Sequence, residues 1–260
     1  MLTEPIGFRH ELDPELFALD RLDDLIRRAP AGKAHVRTAD EERERTQGPQ
    51  DVELEAPLAD ELAKRRLHVY LEDLPSWAPE YAAARAHVLE AAGIDPSQKR
   101  FVETTNIRVF TPGAPVALHA DGETQLNCGV GGRTVWNFGP PTLLSDEEHE
   151  ALLRGGQFLR WRDYEPTHSY DLHVGDGCGA PPRWVHWLEH PGDEPAISFE
   201  CGFWTAEAVR ERKVYEVNWL LRKTRVVRPK PPRAGRDALK QRVFDAISVA
   251  TGKGSELRGV

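Results

Sequence analysis

The apolar positions of this 260-residue chain change period along its length, and the changes mark out its elements. Leu16, Leu19, Leu22, Leu25 and Ile26 recur at spacings of three and four, an amphipathic helical stripe with Asp13-Pro14 as its start signal. Residues 38–56 lose any period; they are charged and contain Gly48-Pro49, which predicts an exposed loop. Residues 79–92 are strong helix formers, with Pro79 at the first turn and Gly93 at the C-cap. Near residue 100 the texture becomes β. Phe101–Phe110, Val116–Asp121, Gln125–Val130 and Thr134–Phe138 read as strands, with turn signals at Pro112-Gly113 and Gly131-Gly132. Ser145 and Glu148 form a capping box opening a short helix to Arg154, closed by Gly155-Gly156. Ser169–Val174, Arg183–Leu188 and Ala196–Trp204 complete the β series. After Thr205 helical spacing returns in Val214, Val217 and Leu221. Residues 227–235 are a Pro-rich break, and Leu239, Val243 and Ile247 share one face of a last helix, Asp237–Ala250.

Short strands between Gly and Pro turns over some 100 residues predict a barrel or sandwich. The expected class is mostly β with flanking helices, in three regions. Residues 1–99 form a helical and loop extension packed on the barrel, 100–205 the barrel, and 206–260 a basic helical extension. Composition adds that no run approaches the ~18 apolar residues of a membrane span. Met1-Leu-Thr-Glu-Pro5 lacks the basic and apolar regions of a secretory signal, and Cys128, Cys178 and Cys201 are scattered. The expected location is therefore the cytoplasm, with reduced thiols. The net charge of −8 is uneven: residues 205–260 carry 14 Lys and Arg against 6 Asp and Glu, so the rest of the chain is strongly acidic. The basic tail shows no helix-turn-helix, zinc or aromatic-interleaved pattern, so nucleic acid is not the expected partner.

The candidate chemistry lies in Gly113-Ala-Pro-Val-Ala-Leu-His119-Ala-Asp121. On a strand, residues i and i+2 share a face, so His119 and Asp121 can reach one point. An imidazole and a carboxylate so placed are two of the three ligands of a facial triad, which suits non-haem Fe(II). The third candidate is His186, in Gly175-Asp-Gly-Cys-Gly-Ala-Pro181-Pro-Arg-Trp-Val-His186, where Gly and Pro turn the chain into a strand. His168, His173 and His190 compete with it; the Pro181-Pro182 frame favours His186. Taken singly, each member has a plainer reading, a core histidine or a turn-capping aspartate.

Glycine, five residues, His-x-Asp, and later glycine, five residues, proline and a histidine resemble the two cupin motifs. With Asp in place of the second His and a long insert between motifs, residues 100–205 resemble the JmjC/cupin-like Fe(II)- and 2-oxoglutarate-dependent oxygenases. The resemblance implies a double-stranded β-helix (cupin/jelly-roll) barrel, His119, Asp121 and His186 as iron ligands, 2-oxoglutarate as cosubstrate and O2 as oxidant. It also implies hydroxylation of a C–H bond of a small molecule or a protein or peptide side chain, and a candidate homodimer through the C-terminal helices. The chain departs from the four-ligand cupin pattern, since the glutamate expected there is Gln125.

The far carboxylate of 2-oxoglutarate needs a cation or hydroxyls if it is to be buried. Residues 187–209 hold no Lys or Arg, which excludes an anchor after the distal histidine. Arg133, on the strand after His-x-Asp, resembles the basic residue of the JmjC-like branch, although that branch ordinarily has Lys. Asn106, Arg108, Asn127 and Ser198 are further candidates to line the pocket. Gln125 and Asn127 share the parity of His119 and Asp121 only without an intervening bulge. The rival classes are a non-catalytic cupin-type binding or regulatory module and a metal cupin enzyme using Zn, Ni or Mn without 2-oxoglutarate.

Overall fold

The computed structural model describes residues 2–39, 51–113, 116–153, 164–223 and 237–251. Two antiparallel sheets face each other. The larger has seven strands, in the order β1 (Ile6–Arg9), β9 (Asp176–Ala180), β6 (Thr124–Gly131), β11 (Ala196–Phe203), β4 (Glu103–Phe110), β3 (Leu67–Leu71) and β2 (Ala34–Thr38). The smaller has four, in the order β5 (Val116–Ala120), β10 (Val185–Glu189), β7 (Thr134–Gly139) and β8 (His168–Leu172).

Strand alternation sorts the larger sheet's side chains into two sets. Val69, Ile107, Val109, Leu126, Cys128, Phe199 and Cys201 point outward, under the helices. There they meet Leu22 and Leu25 of α1 (Leu19–Arg28), Leu58 and Leu62 of α2 (Leu58–Lys64), and Tyr81 and Val88 of α3 (Glu80–Ala91). Phe17 closes this layer, its ring 5.3 Å from Phe199 and 6.0 Å from Tyr81. Since β11 is covered on both faces, it is buried from end to end and reads as a run, not an alternation. A second cluster, Phe110, Trp136, Phe138, Leu172, Cys178, Ala180 and Leu188, fills the space between the sheets. The outer face of the small sheet packs Leu118, Val185 and Trp187 against Leu144 and Leu152, the latter on α4 (Asp146–Leu153). The chain ends in α5 (Ala206–Lys223) and α6 (Ala238–Thr251).

The predicted stripe from Leu16 to Ile26 is split. Asp13 caps a 3-10 turn, Pro14–Phe17, and the α-helix begins at Leu19. The Ser145–Glu148 capping box forms as read: the Ser145 hydroxyl accepts from Glu148 N–H and the Glu148 carboxylate from Ser145 N–H. The first 71 residues contribute three strands, β1 to β3, where the pattern had suggested only helix and loop. These strands are short, and β1 and β2 lie at the sheet's edges, so their alternation is weak. The glycine-rich segment before Pro181, read as a turn, is mostly strand β9. Its glycines serve close approach: a Cβ on Gly179 would lie 2.5 Å from Leu126 Cδ2 and 2.9 Å from the Gln125 carbonyl oxygen. Most of the predicted 38–56 loop and the 227–235 break lie outside the described residues.

Candidate metal centre

The small sheet brings the two motifs together. His186 on β10 is the antiparallel register partner of His119 on β5, so both imidazoles project from one face of adjacent strands. Their ring centroids are 4.1 Å apart. Asp121 follows β5 directly, and its Oδ2 lies 3.7 Å from His119 Nε2 and 3.4 Å from His186 Nε2. One donor atom from each of the three lies within 4.8 Å of the others. His168, His173 and His190 do not join them. His168 lies edge-on to Trp184, His173 is exposed beside Asp171, and His190 is buried with its carbonyl accepting from Gly113 N–H.

Neighbouring groups fix His186 and Asp121. His186 Nδ1–H donates to the Trp184 carbonyl at 3.0 Å, which leaves Nε2 as the lone-pair nitrogen turned to the site. Trp136 and Phe138 flank the same ring, each with its centroid 6.0 Å away. Gln125 Nε2–H donates to Asp121 Oδ2. The Asp121 carbonyl accepts from Arg183 N–H at 2.7 Å. Arg183 holds a left-handed backbone, φ 71°, unusual for a residue with a side chain. Its guanidinium lies 3.7 Å from Asp146 on α4 and 3.8 Å from Glu211 on α5, so the turn that holds Asp121 is tied to both helices.

Electrostatics distinguish the carboxylates. Burial alone would raise the Asp121 carboxyl. His119 and His186 beside it, with Arg108 behind, outweigh burial and hold it well below the usual carboxylate range. Glu123 goes the other way: burial, with the Asp121 charge, pushes it up to about 8, against a hydrogen bond from Thr104. His186 Nε2 is buried, and Asp121 Oδ2, 3.4 Å away, is not aligned for a full hydrogen bond to it. A buried imidazole nitrogen without a proton partner, facing a carboxylate and a second imidazole, is the donor set of a divalent metal site. The residues present therefore fit a 2-His-1-carboxylate iron site. A recess beside the triad is lined by Asp121, Glu123, Gln125, Ala180, Pro181, Trp184 and His186.

The candidate anchors separate. Arg133 follows the tight turn at Gly132 (φ 61°), is half exposed, and grips Asp171 of β8 through Nε at 2.8 Å and Nη2 at 2.7 Å. That two-pronged pair commits its guanidinium to the rim of the small sheet, and the structure does not bring it to the triad. Asn106 accepts from Asp73 N–H at 3.1 Å and so braces the turn after β3. Asn127 and Ser198 are buried on the inner face of the large sheet, and neither Asn127 Nδ2 nor Ser198 Oγ has a partner. Gln125 reaches Asp121 although β5 and β6 belong to different sheets. Glu123, Glu200 and Arg183 were not singled out as site residues. Glu200 was legible as the same-face neighbour of Ser198, two residues on; Arg183, a backbone donor, left no signal.

Two facing antiparallel sheets with His-x-Asp on one strand and a distal histidine on its neighbour define a cupin/JmjC-type fold. Solved structures of that kind align over nearly the whole chain. The ribosomal oxygenase YcfD of Escherichia coli matches with a TM-score of 0.53 at 17% identity, covering 98% of this chain and 66% of that one. The same protein in complex with cobalt and 2-oxoglutarate matches with a TM-score of 0.52 at 16% identity, covering 97% and 64%. Its complex with cobalt and succinic acid gives 0.51 at 16% identity, with the same coverage, 97% and 64%. The chain thus spans just under two thirds of the length of these proteins, and the likeness is one of fold. No family model and no curated protein sequence matches it.

Proposed function

We propose that the chain is an Fe(II)- and 2-oxoglutarate-dependent oxygenase that hydroxylates a C–H bond, with a protein or peptide side chain favoured over a small molecule as substrate. The observation that carries this reading is the convergence of His119, Asp121 and His186, with the buried His186 Nε2 facing the Asp121 carboxylate. Bound there, Fe(II) with 2-oxoglutarate and O2 supplies oxidation of an unactivated C–H bond, with succinate and CO2 as coproducts. The chain's own part is to hold and to exclude. His119 and His186 each offer one imidazole nitrogen, and Asp121, held well below the usual carboxylate range, offers an ionised oxygen. Gln125 and the Arg183 N–H keep Asp121 aimed, while Trp136 and Phe138 hold the His186 ring and keep water from its inner side. The description of the structural neighbour as a ribosomal oxygenase supports a protein substrate.

Three free, buried thiols fit a cytoplasmic location. Among the described residues no helix is long and apolar enough to cross a membrane. A homodimer through the C-terminal helices is supported by Leu239 and Val243, one turn apart and exposed on α6.

The test is anaerobic addition of Fe(II) and 2-oxoglutarate to the metal-free protein. A stoichiometric absorption band, followed on admitting O2 by succinate release, is the expected result. His119→Ala should retain no iron and give neither. Metal binding without succinate would favour a metal cupin enzyme that does not use 2-oxoglutarate, the reading to which the Arg133–Asp171 pair lends weight. Absence of metal binding would leave a non-catalytic module.

A further inference from the structure

The inner face of the large sheet carries a row of polar groups, of which Gln125 hydrogen-bonds to the triad. Asn106 and Arg108 on β4, Gln125 and Asn127 on β6, and Ser198 and Glu200 on β11 occupy the positions opposite in parity to the outward apolar residues. Ser198 is the register partner of Arg108, and Glu200 that of Asn127. Arg108 Nε–H donates to Glu200 Oε2 at 2.9 Å, and its guanidinium lies over the Tyr70 ring at 4.6 Å. Behind these groups the space is closed by Phe110, Trp136, Phe138 and Leu188.

Three atoms of this set are buried without a hydrogen bond: Asn127 Nδ2, Ser198 Oγ and Glu200 Oε1. Leaving a buried polar atom without a partner is costly, so several on one face call for a ligand. Two are donors, and they stand beside a guanidinium whose described hydrogen bond runs from Nε, on the side away from its terminal Nη pair. A cation with an amide and a hydroxyl donor is a carboxylate site. Its position along β6 sets the ligand's length. Gln125 touches Asp121, and Asn127 lies two residues further on, a step of about 7 Å, the reach of a short dicarboxylate.

We propose that Arg108, not Arg133, receives the far carboxylate of a dicarboxylate 2-oxo acid whose other end faces the triad, with Ser198 and Asn127 as the neutral donors. This rests on the oxygenase reading above. Glu200 holds the guanidinium by its Nε edge and leaves the Nη end to the ligand. Arg133 is spent on Asp171, whereas Arg108 comes from a strand of the opposite sheet and is backed by an apolar wall that leaves an unpaired carboxylate no water to turn to.

Calorimetry on the anaerobic Fe(II)-loaded protein tests this without turnover, with 2-oxoglutarate and 2-oxobutyrate, which lacks the far carboxylate, as the two probes. The unsubstituted protein should prefer 2-oxoglutarate. Arg108→Met should weaken 2-oxoglutarate by about 100-fold and leave 2-oxobutyrate unchanged, so that the preference disappears. Ser198→Ala, a milder change, should weaken 2-oxoglutarate by about five-fold with 2-oxobutyrate again unchanged. Arg133→Ala should stay near the unsubstituted protein. If removing Arg108 unfolds the chain by stranding Glu200, the Arg108→Met/Glu200→Met pair, which leaves no buried charge behind, carries the same expectation. Retained preference in the Arg108 variants, or its loss in Arg133→Ala, overturns the assignment and leaves the oxygenase reading standing. If the unsubstituted protein binds iron but neither 2-oxo acid, both fall.

Discussion

At the scale of single residues, the site depends on groups that touch the ligands more than on the ligands' own geometry. Gln125 is the clearest case. Its amide N–H holds one Asp121 oxygen, and Gln125→Leu should lower Fe(II) affinity about 10- to 100-fold while leaving thermal stability nearly unchanged, as read by competition with a chelator. His68 gives a second residue-scale expectation, on stability. Its ring stacks on Phe110 at 4.8 Å, and burial, with the charge of Arg108, pushes its pKa down to about 3. In the unfolded chain it takes a proton near pH ~6.5. Only the unfolded state binds that proton between the two values, so the stability is whole above the unfolded value and is lost as pH falls toward about 3. Urea unfolding at about pH 7 and about pH 5 should show the loss, and His68→Leu should shrink the difference. What was legible at this scale follows a simple rule. His119 and Asp121 could be paired from sequence because a strand's period is two. The fate of Arg133 could not, because it was decided by Asp171, its neighbour across a strand pairing the sequence does not display.

At the scale of elements, period and turn chemistry located the strands that build the site and missed those that buttress it. β4 to β7, β10 and β11 follow from β-branched and aromatic runs between turn signals. β9 did not, since Asp-Gly-Cys-Gly-Ala has the composition of a turn. It is a strand because its neighbours leave no room for side chains: Phe8 covers Gly177, and Leu126 with the Gln125 carbonyl covers Gly179. Gly179→Ala should therefore cost about 1–3 kcal/mol, seen as a lower Tm, since backbone and not only side chain must yield. That strain would fall on Gln125, so metal affinity should drop with it, which separates this lesion from a generic packing loss.

At the scale of the molecule, the uneven charge of the chain becomes a contact. Arg222, near the end of α5, reaches Glu147 at 2.8 Å and Glu150 at 3.2 Å on α4, and Lys213 is buried against Asp245 of α6 at 2.9 Å. The Arg222 contacts join the basic tail to the acidic part of the chain, whereas Lys213 and Asp245 both lie within the tail. The outer face of α6 is left apolar. Replacing both Leu239 and Val243 by Asp should turn the proposed dimer into a monomer in sedimentation, with the Fe(II) site intact; a monomer before substitution would remove the proposed interface. One further consequence comes from the strand order of the small sheet. Among the described residues β5, which carries His119, is its border strand and pairs along β10 alone, whereas His186 lies on an interior strand held from both sides. The two imidazoles therefore belong to regions of different local stability. An ion held there would be released by fraying of one short border strand while the rest of the fold stays closed, so its exchange rate would be set by a local opening and not by the lifetime of the native state.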